Sequence, residues 1–201
     1  SRSLQHRLHV RLSNGRHHET FLRCRLPHQP KSILELGCGD GSFVLKLAQA
    51  LQDIWPDSIE LTLMDQKNIV PEALLAELSK LGWNPQVVTC DLRNGVSEVA
   101  QSFSLVFANL VLHHFTNEEL RNIFQALSRC CDCFVACEPR RWRPGMFLTR
   151  LLWLIRCNGV TRHDAKVSVE AGFRGRELSA LWPFEAGFKT IETPVGFSSH
   201  L

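Results

Sequence analysis

The sequence predicts an α/β fold, a doubly wound and mostly parallel sheet with helices on both faces, and three observations carry that reading. Short apolar runs at residues 32–36, 60–65, 86–91, 104–110 and 133–139 alternate with stretches of helical period at 43–50, at 71–81 and from 116 onward. Between the first run and the first helix stand Gly37, Gly39 and Gly41 on alternate positions, a turn whose backbone can take positive φ and approach a ligand closely. Two of the runs end in carboxylates, Asp65 and Asp91, at the edge where an open parallel sheet binds its ligands.

Each element has a local reason. In residues 1–30, Leu4, Leu8 and Leu12 recur every four positions, which predicts a helical N-terminal arm, broken at Ser13-Asn14-Gly15, resumed near 21–25 and closed by Pro27 and Pro30. The run 32–36 offers Ile33, Leu34 and Leu36 to the core and carries one acid, Glu35. Pro56-Asp57-Ser58 turns the chain into the strand 60–65, and the helix 71–81 opens with a tolerated proline and stops at Gly82. Thr116 and Glu119 have the spacing of a capping box. Residues 189–195 read as a sixth strand. The connection before it, 140–185, is far longer than an ordinary one and predicts a helical insertion or lid at the ligand-binding edge. Within it, 146–157 reads as a helix too short to span a bilayer and interrupted by Arg150 and Arg156. Core packing, an apolar acceptor or a membrane surface would each suit it.

The glycine spacing separates the possible ligands. A phosphate-binding P-loop would need Gly-Lys-Ser/Thr after a four-residue gap, and a dinucleotide fingerprint would place its third glycine where Ser42 stands. The stretch Glu35-Leu36-Gly37-Cys38-Gly39-Asp40-Gly41 instead resembles motif I of the class I S-adenosylmethionine-dependent methyltransferases. That resemblance implies a Rossmann-like doubly wound sheet with an antiparallel C-terminal strand, here starting at Phe197, and S-adenosyl-L-methionine as cofactor. It also implies cofactor-binding roles for Glu35, Gly37, Gly39, Asp65, Gln66, Asp91, Leu92 and Asn109. Asp65 would accept from the ribose hydroxyls, or cap a following helix; Asp91 would accept from the adenine amino group, and Leu92 would lie along the ring. An N-terminal helical arm in such enzymes often covers the acceptor site.

The segment Asn109-Leu110-Val111-Leu112-His113-His114-Phe115 resembles motif IV of the members that act on small molecules. Nucleic-acid amino methyltransferases tend to carry Asn/Asp-Pro-Pro-Tyr/Phe there, and this chain has no proline at that point and no tyrosine at all. Residues 161–165, 171–173 and 176–179 resemble a subgroup of bacterial methyltransferases of aromatic or polyketide-type natural products. Within the resemblance, His113 matches the catalytic histidine of aromatic O-methyltransferases, with packing beside the cofactor as its alternative role. His163 is a second candidate for the acceptor oxygen, and Asp164 beside it reads as a surface ion pair or a helix cap.

Composition bounds the rest. With 201 residues and 44% hydrophobic content, one domain with a sizeable core is expected. The absence of a long apolar run and of a signal-like start predicts a cytoplasmic chain without a transmembrane segment. Eight cysteines lie largely in apolar runs, as reduced thiols do. Cys130, Cys131, Cys133 and Cys137 read as a packed strand, whose spacing cannot converge on a tetrahedral ion, so no metal is expected. Basic segments at 1–31 and 139–182 flank an acidic middle, which charge compensation within the fold explains without nucleic acid.

The leading expectation is a single-domain methyltransferase (1–201) that O-methylates a small, aromatic or quinone-like acceptor. Three rivals stay open: C-methylation of a quinone precursor, a non-catalytic or RNA-associated protein on the same fold, and a nicotinamide dehydrogenase, which the glycine spacing disfavours.

Overall fold

The computed structural model describes residues 7–12, 29–56, 58–99, 101–138, 172–183 and 189–194, with the strands 7–12 and 189–194 as backbone alone. Seven strands form one sheet: β1 (Arg7–Leu12), β2 (Ser32–Leu36), β3 (Ile59–Asp65), β4 (Trp83–Thr89), β5 (Leu105–Asn109), β6 (Cys133–Glu138) and β7 (Lys189–Pro194). Their order is β4-β3-β2-β5-β6-β1-β7. Every strand pairing among them is parallel. The antiparallel strand expected from Phe197 lies outside the described residues.

The helices are α1 (Ser42–Leu51), α2 (Glu72–Lys80), α3 (Leu92–Glu98) and α4 (Asn117–Cys130). Period-two alternation divides the core into two layers, one on each face of the sheet. Leu34, Leu36, Val106, Ala108, Phe134 and Ala136 point to the side of α3 and α4, while Ile33, Leu61, Leu63, Leu105, Phe107 and Val135 point to the side of α1 and α2. Helix α1 buries Val44, Leu47, Ala48 and Leu51, the stripe that a 3.6-residue period produces. The capping box forms as expected: Thr116 Oγ1 accepts from the Glu119 N–H, and Glu119 accepts from the Thr116 N–H.

Several expectations are corrected. Residues 7–12 form a strand between β6 and β7, not part of a helical arm. Leu8, Val10 and Leu12 alternate with polar residues, and that two-residue period prevails over the four-residue spacing of the leucines. The rest of the proposed arm, up to residue 28, lies outside the described residues. Asp91 does not end a strand but caps α3, because β4 stops at Thr89. The four clustered cysteines do not share one strand: Cys130 closes α4, Cys131 follows it, and Cys133 and Cys137 lie in β6.

Residues 172–183, the described part of the proposed insertion, pack into the core rather than projecting from it. Phe173, Leu178 and Trp182 are buried, and the Trp182 ring stacks on Phe134 with centroids 5.2 Å apart. The only helical turn there is a 3-10 turn, Ser179–Leu181. The remainder of the 140–185 expectation, including 146–157 and His163, lies outside the described residues. Among the described residues no helix is long and apolar enough to cross a membrane.

Candidate active site

The strand order reverses direction between β2 and β5, so the crevice beyond their C-terminal ends is where a doubly wound sheet receives its ligand. The glycine loop leaves β2 there. Gly37 has φ +66°, its N–H donates to the Met64 carbonyl at 2.8 Å, and a Cβ on it would meet Val111 Cγ2 at 2.4 Å. Gly39 has φ +55° and donates to Asp65 Oδ2 at 2.9 Å, and the space its Cβ would fill is open. The first glycine thus allows the loop to touch the β5 segment, and the second leaves room for a ligand against bare backbone.

Asp65, the last residue of β3, accepts from Gly39 through Oδ2 and from the Lys67 N–H through Oδ1 at 3.2 Å. The next helix starts only at Glu72, so Asp65 is not its cap. Glu35 lies one strand away, 1% exposed, with Oε2 buried and without a hydrogen-bond partner among the described residues. Burial, reinforced by the charges of Asp40 and Asp65, raises its pKa well above the usual carboxylate range. The Cys38 thiol between them is pushed up to about 12, chiefly by burial, and stays protonated.

The second wall is the segment after β5. Asn109 ends the strand with Oδ1 buried and unpartnered among the described residues. Beyond it the chain is gathered onto Glu138, the fully buried last residue of β6. Its Oε1 accepts from Val111 N at 3.0 Å and from Leu112 N at 2.8 Å, and its Oε2 accepts from His113 N at 3.3 Å. The same Oε2 lies 2.8 Å from His113 Nδ1. His113 has a side chain only 5% exposed, whereas His114, its ring tilted against that of His113 with centroids 4.1 Å apart, faces the crevice. Partial burial, then the neighbouring His113, lowers the His114 pKa, with Glu138 opposing.

A cavity of about 390 Å³ joins these parts, within the range of small-molecule sites. Gly37, Asp65, Gln66 and Leu92 line one side, and Leu110, Val111, His114 and Phe115 the other. Asp91 is absent from that lining. It accepts from the Arg93 N–H at 2.9 Å and pairs with the Arg93 guanidinium at 3.1 Å, and the Arg93 N–H is the main cause of its lowered pKa. Arg93 also binds Glu119 at 2.6 Å, which is the chief reason the Glu119 carboxyl is pushed down to about 2. Its guanidinium sits 5.2 Å over the Phe115 ring.

Of the expected site residues, the structure brings Gly37, Asp65, Gln66 and Leu92 to the cavity, keeps Glu35, Gly39 and Asn109 beside it, and leaves Asp91 on Arg93. His114 rather than His113 is the histidine in the lining. Glu138 was missed, although an acid ending an apolar strand is the same signal that marked Asp65. Among the described residues no lysine or arginine lines the cavity, and the two orphaned buried oxygens with the open face of Gly39 suit a cationic cofactor bearing an adenosyl group.

The comparisons agree with this geometry. A family model described as "Methyltransferase domain" matches residues 33–132. Among solved structures, the plantazolicin methyltransferase BamL, in complex with a triazolic desmethylPZN analogue and SAH, is 20% identical with a TM-score of 0.54. The match covers 81% of this chain and 57% of BamL. An O-methyltransferase family protein from Burkholderia thailandensis is 13% identical with a TM-score of 0.50, covering 76% of this chain and 44% of that one. The chain thus spans about half the length of these structures, and the likeness is one of fold. A comparison with curated proteins gives no match.

Proposed function

We propose that this chain is an S-adenosylmethionine-dependent methyltransferase and that it transfers the cofactor's methyl group to an oxygen of a small, aromatic or quinone-like acceptor. When bound, S-adenosylmethionine supplies an electrophilic methyl on a sulfonium whose leaving group departs neutral. The protein's task is then to align, desolvate and deprotonate.

Gly37 and Gly39 would admit the cofactor to bare backbone, Asp65 would accept from its ribose, Gln66 and Leu92 would flank its base, and Glu35 would face its positive charge. The observation that carries O-methylation is the contact between His113 Nδ1 and Glu138 Oε2. A buried carboxylate that accepts the Nδ1 proton fixes the tautomer of His113, against which the cavity-lining His114 packs, so the histidine pair would take the proton of a phenol or enol as the bond forms. The carboxylate also steadies the imidazolium afterwards. His114, in the lining, would contact the acceptor. The proposed acceptor is a small molecule.

Incubation with methyl-labelled S-adenosylmethionine and a panel of phenols and quinols, with product mass and fragmentation as readout, tests this. O-methyl products that depend on His113 are expected. Label on carbon, or on none of the panel, would reject it.

A further inference from the structure

We propose that Leu110 is a cofactor-contact residue, held in a left-handed turn by the Glu138 clamp so that its side chain packs against bound S-adenosylmethionine. This rests on the methyltransferase reading above. Among the described residues Leu110 is the only non-glycine with positive φ, +57°. A branched apolar residue rarely adopts that conformation, whereas glycine does so without strain and asparagine with little.

The backbone on both sides explains how the turn is enforced. The Leu110 N–H is tied to the Cys137 carbonyl at 2.9 Å, and the next three N–H groups converge on Glu138. Between those two anchors the chain must reverse within one residue, and Leu110 is that residue. The anchors explain the turn but not the leucine, because glycine would fit the turn more easily.

Its surroundings supply the reason. Leu110 is 43% exposed, one of few large apolar residues to be so among the described residues, and it lines the cavity with Gly37, Asp65 and Leu92. Three of those positions belong to the cofactor half of the site. An apolar side chain there would cover the cofactor and exclude water from the charged sulfonium, which strengthens the acidic groups' hold on it. Strained residues kept at ligand sites are the expected signature of such a trade.

The test uses the full chain with S-adenosylhomocysteine and S-adenosylmethionine as probes, by calorimetry, together with thermal unfolding in their absence. Leu110→Asn and Leu110→Gly should unfold at the wild-type temperature or higher, because the strain is relieved, while binding both probes about tenfold more weakly. Leu110→Met should keep wild-type affinity. Full affinity in Leu110→Asn would show an idle side chain, and a fall in unfolding temperature alongside affinity would show core support; either overturns the inference alone. A wild-type chain that binds neither probe would overturn the methyltransferase reading and this inference with it.

Discussion

Glu138 and His113 stand 25 positions apart in the chain and 2.8 Å apart in the fold, and the carboxylate that meets the imidazole also holds the backbone that carries it. One buried side chain therefore sets both where the histidine sits and which of its nitrogens faces a carboxylate.

Glu138→Ala removes the acceptor for three backbone N–H groups at once. Each unsatisfied buried donor costs about 1 to 3 kcal/mol, so urea denaturation should show a loss of roughly 3 kcal/mol or more. Glu138→Gln keeps the shape and one acceptor oxygen and should lose less stability. Equal stability in Glu138→Ala and wild type would mean that the clamp is not formed in solution.

His113→Ala should lower turnover by about a hundredfold or more and leave cofactor affinity nearly intact, since general-base catalysis is typically worth ~10² to 10⁴. His114→Ala should instead raise KM for the acceptor. A variant at 113 with normal turnover would reassign that residue to packing.

Asp65→Ala should weaken S-adenosylmethionine by about 1.5 to 3 kcal/mol, the usual worth of a hydrogen bond to a charged group. Asp91→Ala should have a smaller effect on affinity, because the Asp91 carboxylate is already committed to Arg93. Calorimetry on the two variants checks the order; the reverse order would place Asp91 on the cofactor.

Glu35 should make stability fall as pH rises. Its folded pKa is raised by burial and by Asp40 and Asp65, while the unfolded chain titrates near the ordinary value. Between the two values the folded state binds the proton and the unfolded state has released it, so the gradient of unfolding free energy with pH is negative. The contribution is complete below the ordinary carboxylate pKa and lost as pH passes the folded value. Glu35→Gln should flatten that slope in a series of urea melts, and an identical slope in both proteins would contradict it.

Much of this architecture is legible in local chemistry. The glycine loop, the helix that follows it, the end of β3 at Asp65 and the capping box at Thr116 all follow from residues within a few positions of one another. What escaped depends on distant partners. β1 reads as helix when Leu4, Leu8 and Leu12 are taken together, and only its pairing with β6 and β7 decides between that spacing and the two-residue alternation of Leu8, Val10 and Leu12. Helix α3 is short and contains Gly95, tolerated because a Cβ there would strike Cys90 Sγ at 2.2 Å, a contact no periodicity reveals. The placement of His114 rather than His113 in the cavity lining is likewise set from outside, by Glu138.

The position of β1 has a consequence for how the molecule comes together. Arg7 pairs with Cys133 on one side and with Lys189 on the other, so a segment synthesised early must wait, unpaired, for partners that leave the ribosome much later. The strands from β2 to β6 can assemble progressively, but the seam that β1 closes joins the two extremes of the described chain. Such closure is slow, since long loops are ordered before any contact repays them, and until it happens β6 offers an open edge to other copies. Deleting residues 7–12 would leave that edge open permanently and strand β7 without a neighbour, and the shortened protein should aggregate during expression even though every residue of the cavity is still present.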